Sequence, residues 1–336
     1  MSTDDAFPDH GLPRILLDRV ALDSDEARRR VAGSRPFVTR VSGWRALDWD
    51  VPYLKQRVGA GPITLQREQG EPARMTIADL LDLVDDPTWM QRFIPPGGGG
   101  PLLQIWRPDE GVHPDLAPLM DDLELPPFIP RERLSSINIW ARHFGLYDNG
   151  SHCEPNAMAN FNVQLRGRKH VWLFPPDDAS CLSVTPAIME PPFVAASQEA
   201  TRVSDEHPRF RDARCYEAVL EPGDAIFIPV FWFHWFVHYP VYQLNLNFWF
   251  ESESIPLSPI SADWAFMSAL CIALGGFGEA IDGFARLAPE TQELLRKIED
   301  VLLNQRDLLS PPIIGAARKR GGRMGRDPKQ LTGRKP

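Results

Sequence analysis

Only four cysteines occur in 336 residues, Cys153, Cys181, Cys215 and Cys271, and none forms a Cys-x-x-Cys pair. This argues against a structural zinc site and a disulfide framework, and it suits a reducing, cytoplasmic setting. No apolar run is long enough to cross a bilayer. The longest, roughly residues 264–277, reads as a buried helix or an oligomer contact, so no membrane association is expected. Residues 1–10 are acidic and polar, unlike a signal peptide. There are no internal repeats. Acids outnumber bases except at one end: residues 316–336 hold eight Lys/Arg and one acid, a charge of +7. With a net charge of −9, residues 1–315 therefore carry −16 (−9 minus +7). So acidic a body is a poor non-specific binder of nucleic acid, while the basic tail leaves contact with anionic partners open. That tail has almost no apolar side chains to bury and reads as solvated and disordered.

What is present is enough for a sizeable core: 43% hydrophobic and 10% aromatic residues, in a length that allows one large or two modest domains. Residues 1–133 read as a mixed α/β lead-in packed on the strand-rich region after residue 134. Residues 24–32 fit a helix capped by Ser24, and residues 36–41 a short strand. Residues 76–84 fit a helix with Thr76 as cap and Asp79 three positions on. Residues 95–101, with four consecutive glycines, must be a loop, and the proline-rich residues 121–130 an irregular connection. From residue 134 the apolar period becomes two, which predicts strands over 136–144, 159–165, 170–174, 225–228, 231–239 and 241–250. Residues 177–216 form a long insertion, expected to run over the surface near a substrate mouth. After residue 251 the pattern turns helical. Leu294, Leu295, Ile298, Val301 and Leu302 form one stripe within residues 252–315, which fits either packing or self-association as a homodimer through these C-terminal helices. The class is mainly β with flanking helices.

Two strands pose a question of facing. Asn160, Asn162 and Gln164 alternate with Phe161, Val163 and Leu165, and Gln243, Asn245 and Asn247 alternate with Leu244, Leu246 and Phe248. Amides facing water over an apolar core is the simplest arrangement. The alternative is a barrel whose polar lumen holds a metal and a charged ligand, its apolar outer face covered by helices. The metal-ligand residues favour the polar lumen.

Those residues are His152-Cys153-Glu154, with His234 lying 80 positions beyond Glu154. In a strand, residues i and i+2 share a face, so His152 and Glu154 can reach one ion. A third ligand from a distant strand completes two His and one carboxylate with open positions, the facial triad of non-haem Fe(II) oxygenases. His238, four residues after His234 and on the same strand face, is the alternative third ligand.

The ordered set of motifs resembles the cupin-like JmjC oxygenases, which are Fe(II)- and 2-oxoglutarate-dependent hydroxylases. The matching residues are Gly150-Ser151-His152-Cys153-Glu154, Asn160-Phe161-Asn162-Val163-Gln164 and Gly167-Arg168-Lys169. Further on come Leu220-Glu221-Pro222-Gly223-Asp224, Ile228-Pro229-Val230-Phe231-Trp232-Phe233-His234 and Asn247-Phe248-Trp249. The resemblance implies a double-stranded β-helix (cupin, jelly-roll) core over residues 134–251. It implies Fe(II) on His152, Glu154 and His234, with Lys169 on the distal carboxylate of 2-oxoglutarate. Asn160, Asn247 and Trp249 would line the co-substrate pocket. It implies an oxidoreductase, a dioxygenase consuming O2 and releasing succinate and CO2. The implied product is a hydroxylated C–H of an amino-acid side chain in a protein or peptide, although some relatives act on RNA or demethylate lysine. One departure is Glu154, where most relatives carry Asp.

Two other classes fit the residues. One is a cupin metalloenzyme that works without 2-oxoglutarate and is indifferent to loss of Lys169. The other is an inactive cupin binding module, which Glu154 in place of Asp keeps open.

Overall fold

The computed structural model describes residues 10–67, 71–83, 93–94, 103–143, 147–148, 151–153, 158–190, 193–198, 200–239 and 242–252. The expected C-terminal helices and basic tail, the glycine-rich loop and Glu154 lie outside the described residues.

In chain order the first strands are β1 (Arg14–Leu16), β2 (Phe37–Arg40), β3 (Pro62–Arg67), β4 (Ala73–Thr76), β5 (Phe93–Ile94), β6 (Leu103–Arg107), β7 (Gly111–Val112), β8 (Leu134–His143) and β9 (Tyr147–Asp148). They continue with β10 (His152–Cys153), β11 (Met158–Arg166), β12 (Lys169–Phe174), β13 (Val184–Glu190), β14 (Phe193–Gln198), β15 (Cys215–Leu220), β16 (Asp224–Ile228), β17 (Phe233–His238) and β18 (Tyr242–Glu251). Among the described residues the α-helices are α1 (Asp25–Ala32), α2 (Val51–Val58) and α3 (Ile77–Leu83). The described residues are thus mainly β, in keeping with the period-two pattern after residue 134.

Two large sheets carry the fold. One runs β1-β15-β12-β17-β10-β14-β13, with β9 also paired to β17, and the other runs β2-β16-β11-β18-β8-β6-β7. Three strands before residue 134 (β2, β6 and β7) are built into the second sheet. Both expected caps form. The Ser24 hydroxyl accepts from the Ala27 amide at 3.1 Å. Thr76 and Asp79 satisfy each other's amides at 3.1 and 2.9 Å.

The inner faces meet in an apolar cluster of Val38, Val171, Leu173, Ala218, Leu220, Ile226, Ile228, Trp232 and Phe236. Asn160 and Asn162 share this interior, because they stand opposite Ile228 and Ile226 in the β11–β16 ladder. Phe161, Val163, Leu165, Leu244, Leu246 and Phe248 point the other way into the larger core. There Phe128 packs edge-on against Phe161 and Trp44 against Phe248, at 5.3 and 5.9 Å between centroids. The amides therefore face a lumen, and the N-terminal region covers the apolar face. Burying both faces lets β11 keep hydrophobic contact on one side and a row of buried amides on the other.

Residues 177–216, expected as a long insertion near a substrate mouth, hold β13, β14, 3-10 segments and the start of β15, and β14 pairs with β10 beside His152. One expectation is corrected. The strand expected over 231–239 begins only at Phe233. Phe231 has φ +64°, which breaks the extended backbone and turns the chain into β17.

Candidate active site

β10 is two residues long, yet it is pinned on both edges. Its His152 and Cys153 stand opposite Ser197 and Ala196 of β14, and His152 also stands opposite His234 of β17. Just before it, the Ser151 hydroxyl donates to Gln198 Oε1 at 2.7 Å and its carbonyl accepts from the Gln198 amide at 2.8 Å. The outcome is two imidazoles facing each other, 4.6 Å between ring centroids. His234 is buried, and its Nδ1 lies 3.2 Å from the Trp232 carbonyl. A carbonyl only accepts, so Nδ1 carries the proton and Nε2 the lone pair. A backbone oxygen fixing the tautomer of a ring in this way is the usual outer support of a metal-binding histidine. His238 is not the residue opposite His152. It stands opposite Lys169, and its backbone also pairs with Tyr147.

Lys169 enters the lumen because the chain reverses tightly between β11 and β12. Gly167 has φ +76°, and a Cβ there would lie 2.5 Å from the Tyr242 carbonyl and 2.6 Å from the Gln243 side chain, so no other residue fits. Lys169 is fully buried. Its Nζ donates to Asn162 Oδ1 at 2.5 Å and sits 4.6 Å from the centroid of Phe236. No described carboxylate pairs with it. Burial pushes its pKa down to about 7.

Around it the amides are shared rather than solvated. Asn162 Nδ2 donates to Asn247 Oδ1 at 3.1 Å, and Asn247 Nδ2 donates to Asn160 Oδ1 at 3.2 Å. Trp249 is half-buried opposite Asn160 across β11 and β18. Nearer the turn, Gln164 donates to Gln243 Oε1 at 2.8 Å, and Gln243 donates to the carbonyls of Arg168 and Tyr239, both at 3.0 Å.

The fold therefore brings His152 to His234, and Lys169 to the Asn160–Asn247 row, all inside one interior. Glu154 is outside the described residues, and among those residues no group of three His, Cys, Asp or Glu forms a metal cluster. The donor set fits the group that the motifs imply. Two imidazoles suit Fe(II), and a buried ammonium without a described counter-ion suits a chelating anion. Sequence reasoning did not single out Asn162 and Gln243 as site residues. The alternation that marked their strands was visible, but their partners lie on other strands.

A family model described as the cupin-like domain matches residues 27–255. The chain belongs to this family, the cupin-like JmjC proteins. Among curated proteins it is 28% identical over 164 residues to the lysine-specific demethylase JMJ31 of Arabidopsis thaliana, covering 46% of this chain and 28% of that one. It is 38% identical over 83 residues to tRNA wybutosine-synthesizing protein 5 of Mus musculus, covering 24% of each chain. It is 33% identical over 95 residues to the HSPB1-associated protein 1 homolog of Danio rerio, covering 28% of this chain and 21% of that one. Each alignment spans less than a third of the relative's own length. Among the described residues no helix is long and apolar enough to cross a membrane.

Proposed function

We propose that this chain is an Fe(II)- and 2-oxoglutarate-dependent oxygenase. In this reading it hydroxylates an unactivated C–H of an amino-acid side chain in a protein or peptide and releases succinate and CO2. The observation that carries the reading is Lys169, a fully buried ammonium without a described carboxylate partner, in the same interior as two facing imidazoles. A buried cation is costly until an anion arrives. A dianion that also chelates a metal answers both features at once.

His152, Glu154 and His234 would hold Fe(II). When bound, the metal supplies O2 activation coupled to decarboxylation of the 2-oxo acid. Lys169 would pair with the distal carboxylate of 2-oxoglutarate. Asn160 and Asn247 would offer amide edges to the same molecule, and Trp249 would flank it. Val171, Leu173, Ile226, Ile228, Trp232 and Phe236 keep the interior apolar around these groups, which strengthens the lysine–carboxylate pair and excludes water. The relatives' names point to lysine-bearing protein and to tRNA as substrates. The charge of −16 on residues 1–315 favours a protein or peptide here.

The test is an anaerobic titration of the Fe(II)-loaded protein with 2-oxoglutarate, following the visible metal-to-ketoacid charge-transfer band. The band is expected in the parent, absent in His152→Ala and weakened in Lys169→Ala. An iron-loaded parent without the band would remove the 2-oxoglutarate reading and favour a different cupin chemistry.

A further inference from the structure

A lysine head group can only donate, so the Asn162 side chain must present its carbonyl oxygen to Lys169. That fixes the rest of the row. With Oδ1 committed, Asn162 turns Nδ2 toward Asn247 Oδ1 at 3.1 Å, which also accepts from Asn245 Nδ2 at 3.3 Å. Asn247 must then turn its own Nδ2 to Asn160 Oδ1, at 3.2 Å. Every bond runs the same way, from the ammonium through Asn162 and Asn247 to Asn160. The four asparagines are 8% exposed or less, so water offers little competition for these groups. An isolated buried amide flips at small cost, whereas one anchored to a cation through a charge-assisted bond does not. Lys169 lies on β12 of one sheet and Asn162 on β11 of the other, so the same bond ties the two sheets together.

We infer that Asn162 is a positioning residue of the co-substrate pocket. Its carbonyl holds the Lys169 ammonium in the lumen, and its amide sets which edge of Asn247, and through it of Asn160, faces the bound anion. The inference rests on the reading of Lys169 as the partner of a 2-oxoglutarate carboxylate. Asn162 need not touch the co-substrate. It acts through Lys169 at one end and the two asparagines at the other.

The experiment is calorimetric titration of 2-oxoglutarate into the anaerobic Fe(II)-loaded parent, Asn162→Leu and Asn162→Asp, repeated from about pH 6 to about pH 9. Asn162→Leu is expected to bind about tenfold more weakly, the worth of one hydrogen bond to a charged group. The pH at which affinity begins to fall is expected to move down in Asn162→Leu, which loses the acceptor that favours the charged lysine. In Asn162→Asp it is expected to move up, because an opposite charge holds that proton more tightly. A residue with only a packing role would not move this pH in opposite directions. Unchanged affinity and an unchanged pH dependence in both variants would overturn the inference and leave the oxygenase reading intact. A parent that takes up iron but binds no 2-oxoglutarate would overturn that reading, and the role of Asn162 with it. If Asn162→Leu melts early, Asn162→Asp, which keeps the volume, decides the matter against the parent.

Discussion

His152 and His234 are separated by 82 positions in the chain and stand directly opposite each other on β10 and β17, their rings 4.6 Å apart between centroids. Replacing either with alanine removes one arm of the proposed chelate. Loss of an outer support alone typically costs 10- to 100-fold in metal affinity, so loss of a ligand is expected to cost more than about 100-fold. The measurement is Fe(II) stoichiometry and affinity on protein shown by circular dichroism to be folded. Tight iron binding by His234→Ala with weak binding by His238→Ala would reassign the third ligand to His238.

The lysine gives the co-substrate site a pH signature. In the unliganded protein Lys169 titrates at about 7 because of burial, and a bound carboxylate raises that value by favouring the charged form. Affinity for 2-oxoglutarate is therefore expected to be flat below pH 7 and to fall by about tenfold per pH unit above it, with a proton taken up on binding. Calorimetry in buffers of different ionisation enthalpy reads that proton directly. Lys169→Met should bind weakly at every pH and show no uptake.

The same burial should make Lys169 a cost to stability. Its folded pKa lies below the ordinary value of 10.5, so the unfolded chain binds more protons between pH 7 and pH 10.5. The contribution of this group to stability therefore rises with pH across that window. Lys169→Met is expected to unfold at higher urea than the parent, by about 1–3 kcal/mol near pH 6, with the advantage shrinking as pH rises. Equal stability at all pH values would mean that the ammonium is not desolvated in solution.

Gly167 holds the turn that delivers Lys169. At φ +76°, and with 2.5 Å between a Cβ and the Tyr242 carbonyl, Gly167→Ala is strained both in its backbone and against a neighbour that cannot yield cheaply. It is expected to destabilise the fold by at least about 1–2 kcal/mol. It should also weaken 2-oxoglutarate binding, which a remote destabilising change would not do at a temperature where both proteins are folded.

Asp224 anchors the far end of β16. Burial by itself would push its carboxyl up, but Arg19 at 2.9 and 3.1 Å, the Glu221 amide at 3.0 Å and Arg40 at 3.3 Å outweigh that and hold it below 3.8. A lowered folded pKa adds stability that is present above the unfolded value and lost as pH falls through the folded one. Asp224→Asn should therefore be less stable than the parent near neutrality, with the gap closing in acid below about pH 4. Because Arg19 and Arg40 are more than half exposed, the loss is expected to stay within about 1–3 kcal/mol.

Much of this was legible in the chain. Strict alternation marks β11 and β18 as strands with one amide face and one apolar face, and leaves open which of the two points inward. The Ser24 and Thr76 caps could be read because capping is local. The β13–β14 hairpin could not: its sequence has no clean period, and its pairing partner, β10, is only two residues long. The late start of β17 is hidden because nothing in Phe231 announces a positive φ. Asn162 looked like one amide among several, since its role depends on a lysine that reaches it only after the Gly167 turn.

Residue types and their periodicity are readable along the chain: two histidines, a carboxylate and a lysine on strand-like segments, amides alternating with apolar side chains, and glycine where the chain reverses. These follow from local rules, the two-residue repeat of a strand and the conformational freedom of glycine. It takes the folded arrangement of the two sheets to turn the amides inward, to set His234 rather than His238 opposite His152, and to bring Lys169 to Asn162. Those are matters of register and of which sheets face one another. They are settled by long-range pairing and by the requirement that a buried donor find an acceptor, neither of which any short stretch of sequence contains.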